Sequence, residues 1–175
     1  MHDNSMVIME KFVKDYDVKK SNVVDIGSYD INGNYRGLFK GDYIGVDIVA
    51  GPNVDVIMDS DEWKKLKDVD VVISGQTIEH IVDRASLLSS IFDILKPNGL
   101  LCIIAPSAGD PHYYPIFTGN VSKDEMEGLV TGAGFDIISC TISDVPPFMD
   151  NCCIARKPEV AKPITKKGIK VDANQ

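Results

Sequence analysis

Apolar positions in this chain follow two rhythms, and the rhythm switches repeatedly. In residues 5–16, Ile8 or Met9, Phe12, Val13 and Tyr16 fall on one face. That spacing predicts an amphipathic helix capped by Ser5 or Asn4. Short, largely apolar runs at 22–27, 42–47, 54–58, 69–74 and 100–105 predict strands. The segment after Gly33 allows only a turn or two before Gly41. Asp59-Ser60-Asp61-Glu62 predicts a capped helix through Lys67, with Trp63 at a packing position. Asp83 caps a strong helix bearing Leu87, Leu88, Ile91, Phe92 and Leu95, stopped by Lys96-Pro97-Asn98-Gly99. Ser122 with Glu125 opens another, with Met126, Leu129, Val130 and Ala133 inside and Gly132 and Gly134 at its end. Residues 135–143 and 151–156 predict two late strands without a helix between them.

Strands alternating with helices predict an α/β fold. The sheet is mainly parallel, with helices on both faces and right-handed crossovers. The last two strands form an antiparallel hairpin at one edge.

The candidate chemistry sits where strand one ends. Val23-Val24-Asp25-Ile26-Gly27 runs apolar, then acidic, into a loop closed by Gly33. A buried strand turning through glycine brings backbone N–H groups close to a ligand. Asp47 ends the next apolar run, where a carboxylate can accept both hydroxyls of a ribose. Together they describe a nucleoside pocket at the carboxyl ends of parallel strands.

These segments resemble the class I S-adenosylmethionine-dependent methyltransferases over about residues 20–157. Val24-Asp25-Ile26-Gly27-Ser28 resembles the first motif, and Gly45-Val46-Asp47 the second, with its acid for the ribose. Asp59 falls where the family places an acid near the adenine amine, a position that also suits a helix cap. Residues 72–81, with Glu79-His80, resemble the fourth motif. Leu95-Lys96-Pro97-Asn98-Gly99 matches the turn before strand five, and Ala133-Gly134-Phe135 the entry to the hairpin. A smaller methyltransferase-like group is similar in its Gly-Ser-Tyr-Asp loop and in the Glu-His pair after strand four. Two departures stand out. Tyr29 and Ile31 occupy positions where the first motif commonly has glycine. His112-Tyr113-Tyr114-Pro115 is not followed by the Trp and Arg of that smaller group.

The resemblance implies a Rossmann-like seven-stranded sheet of order 3-2-1-4-5-7-6, with S-adenosylmethionine as cofactor and S-adenosylhomocysteine as product. Gly27 and Ser28 would pass beneath the methionine part, Asp25 would hold that loop or reach the amino group directly or through water, Asp47 would take the ribose, and Ile48 and Asp59 the adenine. Ser74, Gly75 and Gln76 would line the end of strand four. His80 and His112 are the candidate bases, each with a plainer role: His80 with Glu79 in fixing a loop, His112 as a wall. The acceptor is expected to be a small molecule or a glycan- or lipid-linked metabolite. The site has little to cover it, which implies an open site, or a homodimer or another partner that completes it. A non-catalytic binding module or regulatory subunit is the main alternative. A nicotinamide-dependent Rossmann enzyme is less favoured, because Gly-x-Gly-x-x-Gly is absent.

Composition narrows the classes. The chain has 175 residues, 44% of them hydrophobic, enough for one domain with a real core. A net charge of −8 argues against nucleic acid. No apolar run is long enough to span a bilayer. No basic segment followed by an apolar block opens the chain, so no leader peptide is expected. Cys102, Cys140, Cys152 and Cys153 lack metal-ligand spacing and suit buried thiols in a reducing compartment, here the cytoplasm. Residues 1–157 are read as the domain. Residues 158–175, with four lysines, two prolines and no apolar period, are read as a disordered basic tail.

Overall fold

The computed structural model describes residues 3–57, 65–110 and 116–159. Seven strands form one sheet: β1 (Val23–Ile26), β2 (Tyr43–Asp47), β3 (Val56–Ile57), β4 (Val69–Gly75), β5 (Leu95–Pro106), β6 (Asp136–Ile142) and β7 (Asp150–Arg156). Their order is β3-β2-β1-β4-β5-β7-β6. β7 alone runs against its neighbours, pairing antiparallel with both β5 and β6. Order and direction are those expected.

The sheet is covered on both sides. Helices α2 (Arg84–Ile94) and α3 (Lys123–Gly132) pack over Val24, Ile26, Val72, Leu101 and Ile103. Alternate residues of the same strands, Val23, Val71, Ile73, Cys102 and Ile104, face the other way. There they meet Met9, Phe12 and Val13 of α1 (Asp3–Asp15). In α2, Leu87, Leu88, Ile91 and Ile94 are buried, each worth about 1.5–3 kcal/mol relative to exposure. Both expected caps form: Asp83 accepts from the Ser86 N–H (3.0 Å) and Ser122 from the Glu125 N–H (3.2 Å).

Four local expectations change. Helix α1 already includes Asn4 and Ser5, so neither caps it. Asn4 donates to Asp150 Oδ2 (2.7 Å) and Ser143 Oγ (3.1 Å), while Ser5 Oγ accepts from Tyr35 Oη (3.2 Å). β3 is only two residues long, because Val54 N–H is spent in a turn to Gly51 O. β5 starts at Leu95, inside the expected turn. Leu95 aligns with Val69, and Gly99 and Asn98 exchange backbone hydrogen bonds with Lys157. Most of the helix expected at 60–67, with Trp63 and Asp59, lies outside the described residues, and Leu66 and Lys67 are not helical.

A feature of the β1–β2 connection positions the site. Between Gly27 and Asp42 the described chain has no α-helix, only a single 3-10 turn at Arg36–Leu38. Tyr35 and Phe39 from this connection fill the sheet face beside α1.

Candidate functional site

Parallel strands β1, β2 and β4 all end at one edge, and a cleft of about 300 Å³ opens there. Asp25, Gly27, Ser28, Asp47, Ile48, Gly75, Gln76 and His80, all candidates from the sequence, line it together. Ser74 does not. It is buried beneath the cleft, where its hydroxyl donates to Ile26 O (3.0 Å) and ties β4 to β1. Asp59 and His112 lie outside the described residues.

Two glycines are required by close approach. Gly27 has φ +77°, and a Cβ there would sit 2.0 Å from Thr77 Oγ1. A Cβ on Gly75 would sit 2.2 Å from Tyr35 Oη. Thr77 and Tyr35 are therefore site residues that motif spacing did not reveal. Tyr29, Ile31, Val49 and Ile81 also line the cleft. The signal available for Tyr35 was its place as one of three aromatics, with Tyr29 and Phe39, in a connection whose helical pattern is weak.

Asp47 sits at the mouth. Oδ2 accepts from Tyr29 N–H (3.0 Å) and Oδ1 from Val49 N–H (3.3 Å), which hold the carboxylate in place. Each oxygen keeps a lone pair for a further donor. Asp25 lies deeper, 3% exposed, and its Oδ2 accepts from Tyr43 Oη. Burial pushes its carboxyl up to about 7, against the lowering effects of the Tyr43 hydrogen bond and the Arg36 charge. The non-glycine Gln76 holds φ +58°, a strained conformation fixed by its surroundings. Its N–H donates to Ile104 O (2.8 Å) and its Nε2 to Asp150 Oδ1 (2.7 Å).

His80 and Glu79 are neighbours on the 3-10 turn Ile78–His80 but differ in exposure. His80 lines the cleft, and its Nδ1–H donates to Ile116 O, so the neutral ring keeps its lone pair on Nε2. Glu79 is 0% exposed, and neither of its carboxyl oxygens has a hydrogen-bond partner among the described residues. Burial pushes its carboxyl up to about 7, with Arg84 opposing. His80 Nε2 lies 3.8 Å from Glu79 Oε1.

The lining suits a nucleoside-linked amino acid: two carboxylates at different depths, apolar Ile48 and Val49 at one end, and bare glycine where backbone must approach. Comparisons with known proteins agree. The family model "Methyltransferase domain" matches residues 8–140. A "Probable S-adenosylmethionine-dependent methyltransferase" of Mycobacterium tuberculosis is 31% identical over 108 residues, which cover 57% of this chain and 39% of that protein. A similarly named protein of Mycolicibacterium smegmatis is 32% identical over 75 residues, 39% of this chain and 29% of its own length. The chain thus spans about two fifths or less of the curated relatives it matches. Among solved structures, the Burkholderia thailandensis 1,6-didemethyltoxoflavin-N1-methyltransferase, with bound 1,6-didemethyltoxoflavin and S-adenosylhomocysteine, superposes with TM-score 0.72. It shows 18% identity, with 87% of this chain and 78% of that one covered. A SAM-dependent methyltransferase from Archaeoglobus fulgidus gives TM-score 0.64 at 17% identity, covering 87% and 94%. With the family model spanning most of its length, the chain belongs to the methyltransferase-domain family, the class I S-adenosylmethionine-dependent enzymes.

Proposed function

We propose that this chain transfers a methyl group from S-adenosylmethionine to a small-molecule or glycan- or lipid-linked acceptor. The observation that carries this reading is the Asp47 carboxylate, held by two backbone N–H groups at the mouth of a glycine-floored cleft. When bound, the cofactor supplies a methyl on a sulfonium, a group with a good leaving atom already attached. Asp47 accepts from the ribose hydroxyls, Ile48 packs on the adenine, and Gly27 and Ser28 pass beneath the methionine part. Asp25 faces its ammonium. Gly75 and Gln76 close the β4 side, and Ser74 supports them from below. Asp59, for the adenine amine, and His112, on the acceptor side, enter this reading from the sequence alone. What remains for the protein is to align the acceptor and exclude water, with a base only where the attacking atom carries a proton.

His80 is the described candidate base, through Nε2. His80→Ala is expected to leave cofactor affinity near wild type. It is expected to slow turnover of an acceptor that must lose a proton by roughly 100-fold, the lower range for general-base catalysis. Single-turnover rates at several pH values measure this; an unchanged rate reduces His80 to holding Ile116. That tether favours the second reading, a binding module without catalysis.

The first test is calorimetric titration with S-adenosylmethionine, S-adenosylhomocysteine and NAD. Binding of the first two and not the third supports the proposal; a preference for NAD ends it. The small-molecule acceptor bound by the Burkholderia neighbour supports the acceptor class. Ile31 and Val82, 73% and 80% exposed on and beside the cleft rim, support completion by a second copy or another partner. No helix among the described residues is long and apolar enough to cross a membrane. Four free, buried cysteines support placement in the cytoplasm.

The domain division is also a proposal. Its support is that Lys157 closes the sheet, donating Nζ to Phe92 O (2.6 Å) and Leu95 O (2.7 Å). Truncation after Glu159 is therefore expected to leave the melting temperature and cofactor affinity unchanged. A drop in either, seen by thermal melts or titration, assigns the tail a docking role.

A further inference from the structure

The β1–β2 connection lacks the helix that usually follows the first strand of such a sheet. A helix there would aim the positive end of its dipole at the strand's carboxyl edge, where an anionic group gains from it. Here a side chain stands in its place. Arg36, from the 3-10 turn, lies with Cζ 4.5 Å from the Tyr43 ring centroid. It is locked there: Nε donates to Asn53 Oδ1 (2.7 Å), Nη1 to Tyr43 O (3.3 Å), and Nη2 to Asn53 O (3.2 Å) and Asp55 Oδ2 (2.6 Å). Asp55 is fixed in turn by the Gly45 N–H (2.7 Å). Beyond the ring, Tyr43 Oη donates to Asp25 Oδ2. Burial beside Asp25 pushes the Tyr43 phenol far up, so it stays a donor. Asp25 Oδ1 has no hydrogen bond to a described residue, and Asp25 lines the cleft at 3% exposure.

We propose that Arg36 and Tyr43 are positioning residues that hold Asp25 as a carboxylate aimed at the α-ammonium of the cofactor, replacing the missing helix dipole with a guanidinium relayed through a phenol. The inference rests on the cofactor reading above. It gives the departure from a glycine-rich loop a physical consequence. Tyr29 and Ile31 stand where glycines would lead into a helix, and the charge such a helix would bring is supplied from residue 36.

The charges around Asp25 set the sign of the effect. Tyr43 and Arg36 lower its carboxyl toward ionisation, while burial and Asp47 raise it; Tyr35 also lies within its field. β4 contributes Ile73 opposite Asp25, which carries no charge. The free protein therefore holds Asp25 partly protonated near neutral pH. An incoming ammonium favours the carboxylate, so binding expels a proton below about pH 7. Affinity rises as pH increases toward 7 and then levels. Without the phenol the carboxyl moves higher, and the same profile shifts to higher pH.

The test is titration of S-adenosylhomocysteine, which keeps the ammonium, into wild type, Tyr43→Phe, Arg36→Lys and Arg36→Met. Each is measured from pH 6 to 8.5, in two buffers of different ionisation enthalpy so that released protons are counted. Wild type is expected to release protons at pH 6.5 and few at pH 8.5. Tyr43→Phe is expected to bind roughly tenfold more weakly at pH 7, recovering most of the loss at pH 8.5. Arg36→Lys keeps most of the wild-type profile and Arg36→Met resembles Tyr43→Phe. A loss equal at every pH, or a wild-type profile in both Tyr43→Phe and Arg36→Met, overturns the proposal. Circular dichroism establishes folding of each variant, and the two positions test the relay independently. If wild type itself binds no S-adenosylhomocysteine, the cofactor reading fails instead.

Discussion

Replacing Asp47 with alanine is expected to abolish measurable cofactor binding while the protein stays folded. The carboxylate ends β2 at the cleft mouth, and its two described hydrogen bonds come from Tyr29 and Val49 N–H groups. A ribose would add two donors to the same oxygens. Losing a charged acceptor of two hydrogen bonds costs roughly 2–4 kcal/mol, on the order of 30- to 1,000-fold in affinity. The residue is only half-buried and packs little apolar surface, so unfolding should change by about 1 kcal/mol or less. Asp47→Asn separates charge from shape: it keeps one acceptor oxygen for the backbone and should fall between wild type and alanine. Titration with S-adenosylhomocysteine, alongside a denaturation curve, measures both quantities. Wild-type affinity in Asp47→Ala would sink the pocket assignment.

Glu79→Gln is expected to stabilise the protein at pH 8 and to do little at pH 5. Glu79 is 0% exposed, without a hydrogen-bond partner for either oxygen among the described residues. Arg84, Asp150 and His80 are the charged or titratable groups around it. Its folded carboxyl sits at about 7 against an ordinary 4.5, raised chiefly by burial. A raised folded value means that the fold prefers the protonated form. The stability contribution is whole below about pH 4.5 and is lost as pH rises through about 7. The shift amounts to roughly 3 kcal/mol at pH 8. Gln stays neutral at all pH and escapes that loss, so a gain of about 1–3 kcal/mol is expected at pH 8. Asp25 is shifted the same way, to about 7, and leaves part of the pH slope in the variant. Denaturant melts at pH 5, 6, 7 and 8 decide it. A difference that does not grow with pH would show that burial does not raise the Glu79 carboxyl and that it is already charged in the fold at about pH 5 to 6.

The two buried acids, Asp25 and Glu79, titrate in one window but in different surroundings. Asp25 opens onto the cleft and gains a counter-charge when an ammonium arrives, so its cost is recovered on binding. Glu79 is buried on the 3-10 turn Ile78–His80, and its backbone O accepts from both the N–H and the Oγ1–H of Thr118 in the segment after β5. Its cost persists in the loaded protein. Calorimetry on Asp25 variants and melts on Glu79 variants therefore report different things, even though one physical cause, desolvation, raises both carboxyls.

Much of the architecture was legible in the order of residues, because local rules set it. Buried parallel strands need largely apolar runs, and 100–105, unbroken, and 69–74, broken only at Asp70 before Ser74, could be little else. Asp83 and Ser122 are short acceptors placed ahead of helical spacing, and each caps its helix. Gly27 and Asp47 end adjacent strands, so strand pairing alone brings them to one edge. The short segment after Gly33 left room for only a turn or two, and the chain forms a single 3-10 turn there. Other features depended on which way side chains turn once the sheet closes, and no local rule carries that. Ser74 and Gln76 are two residues apart at the end of β4, yet Ser74 faces inward to Ile26 and Gln76, in its left-handed conformation, reaches Asp150 on β7. The need for glycine at 75 arises from Tyr35, forty positions away in sequence and packed against it in space. Asn4, a plausible cap by composition, is drawn instead to Asp150, across the whole length of the domain. A sequence determines strands, caps and the edge where they end. Tertiary packing decides which polar groups meet there, because a buried donor or acceptor takes the partner that the folded chain brings within reach.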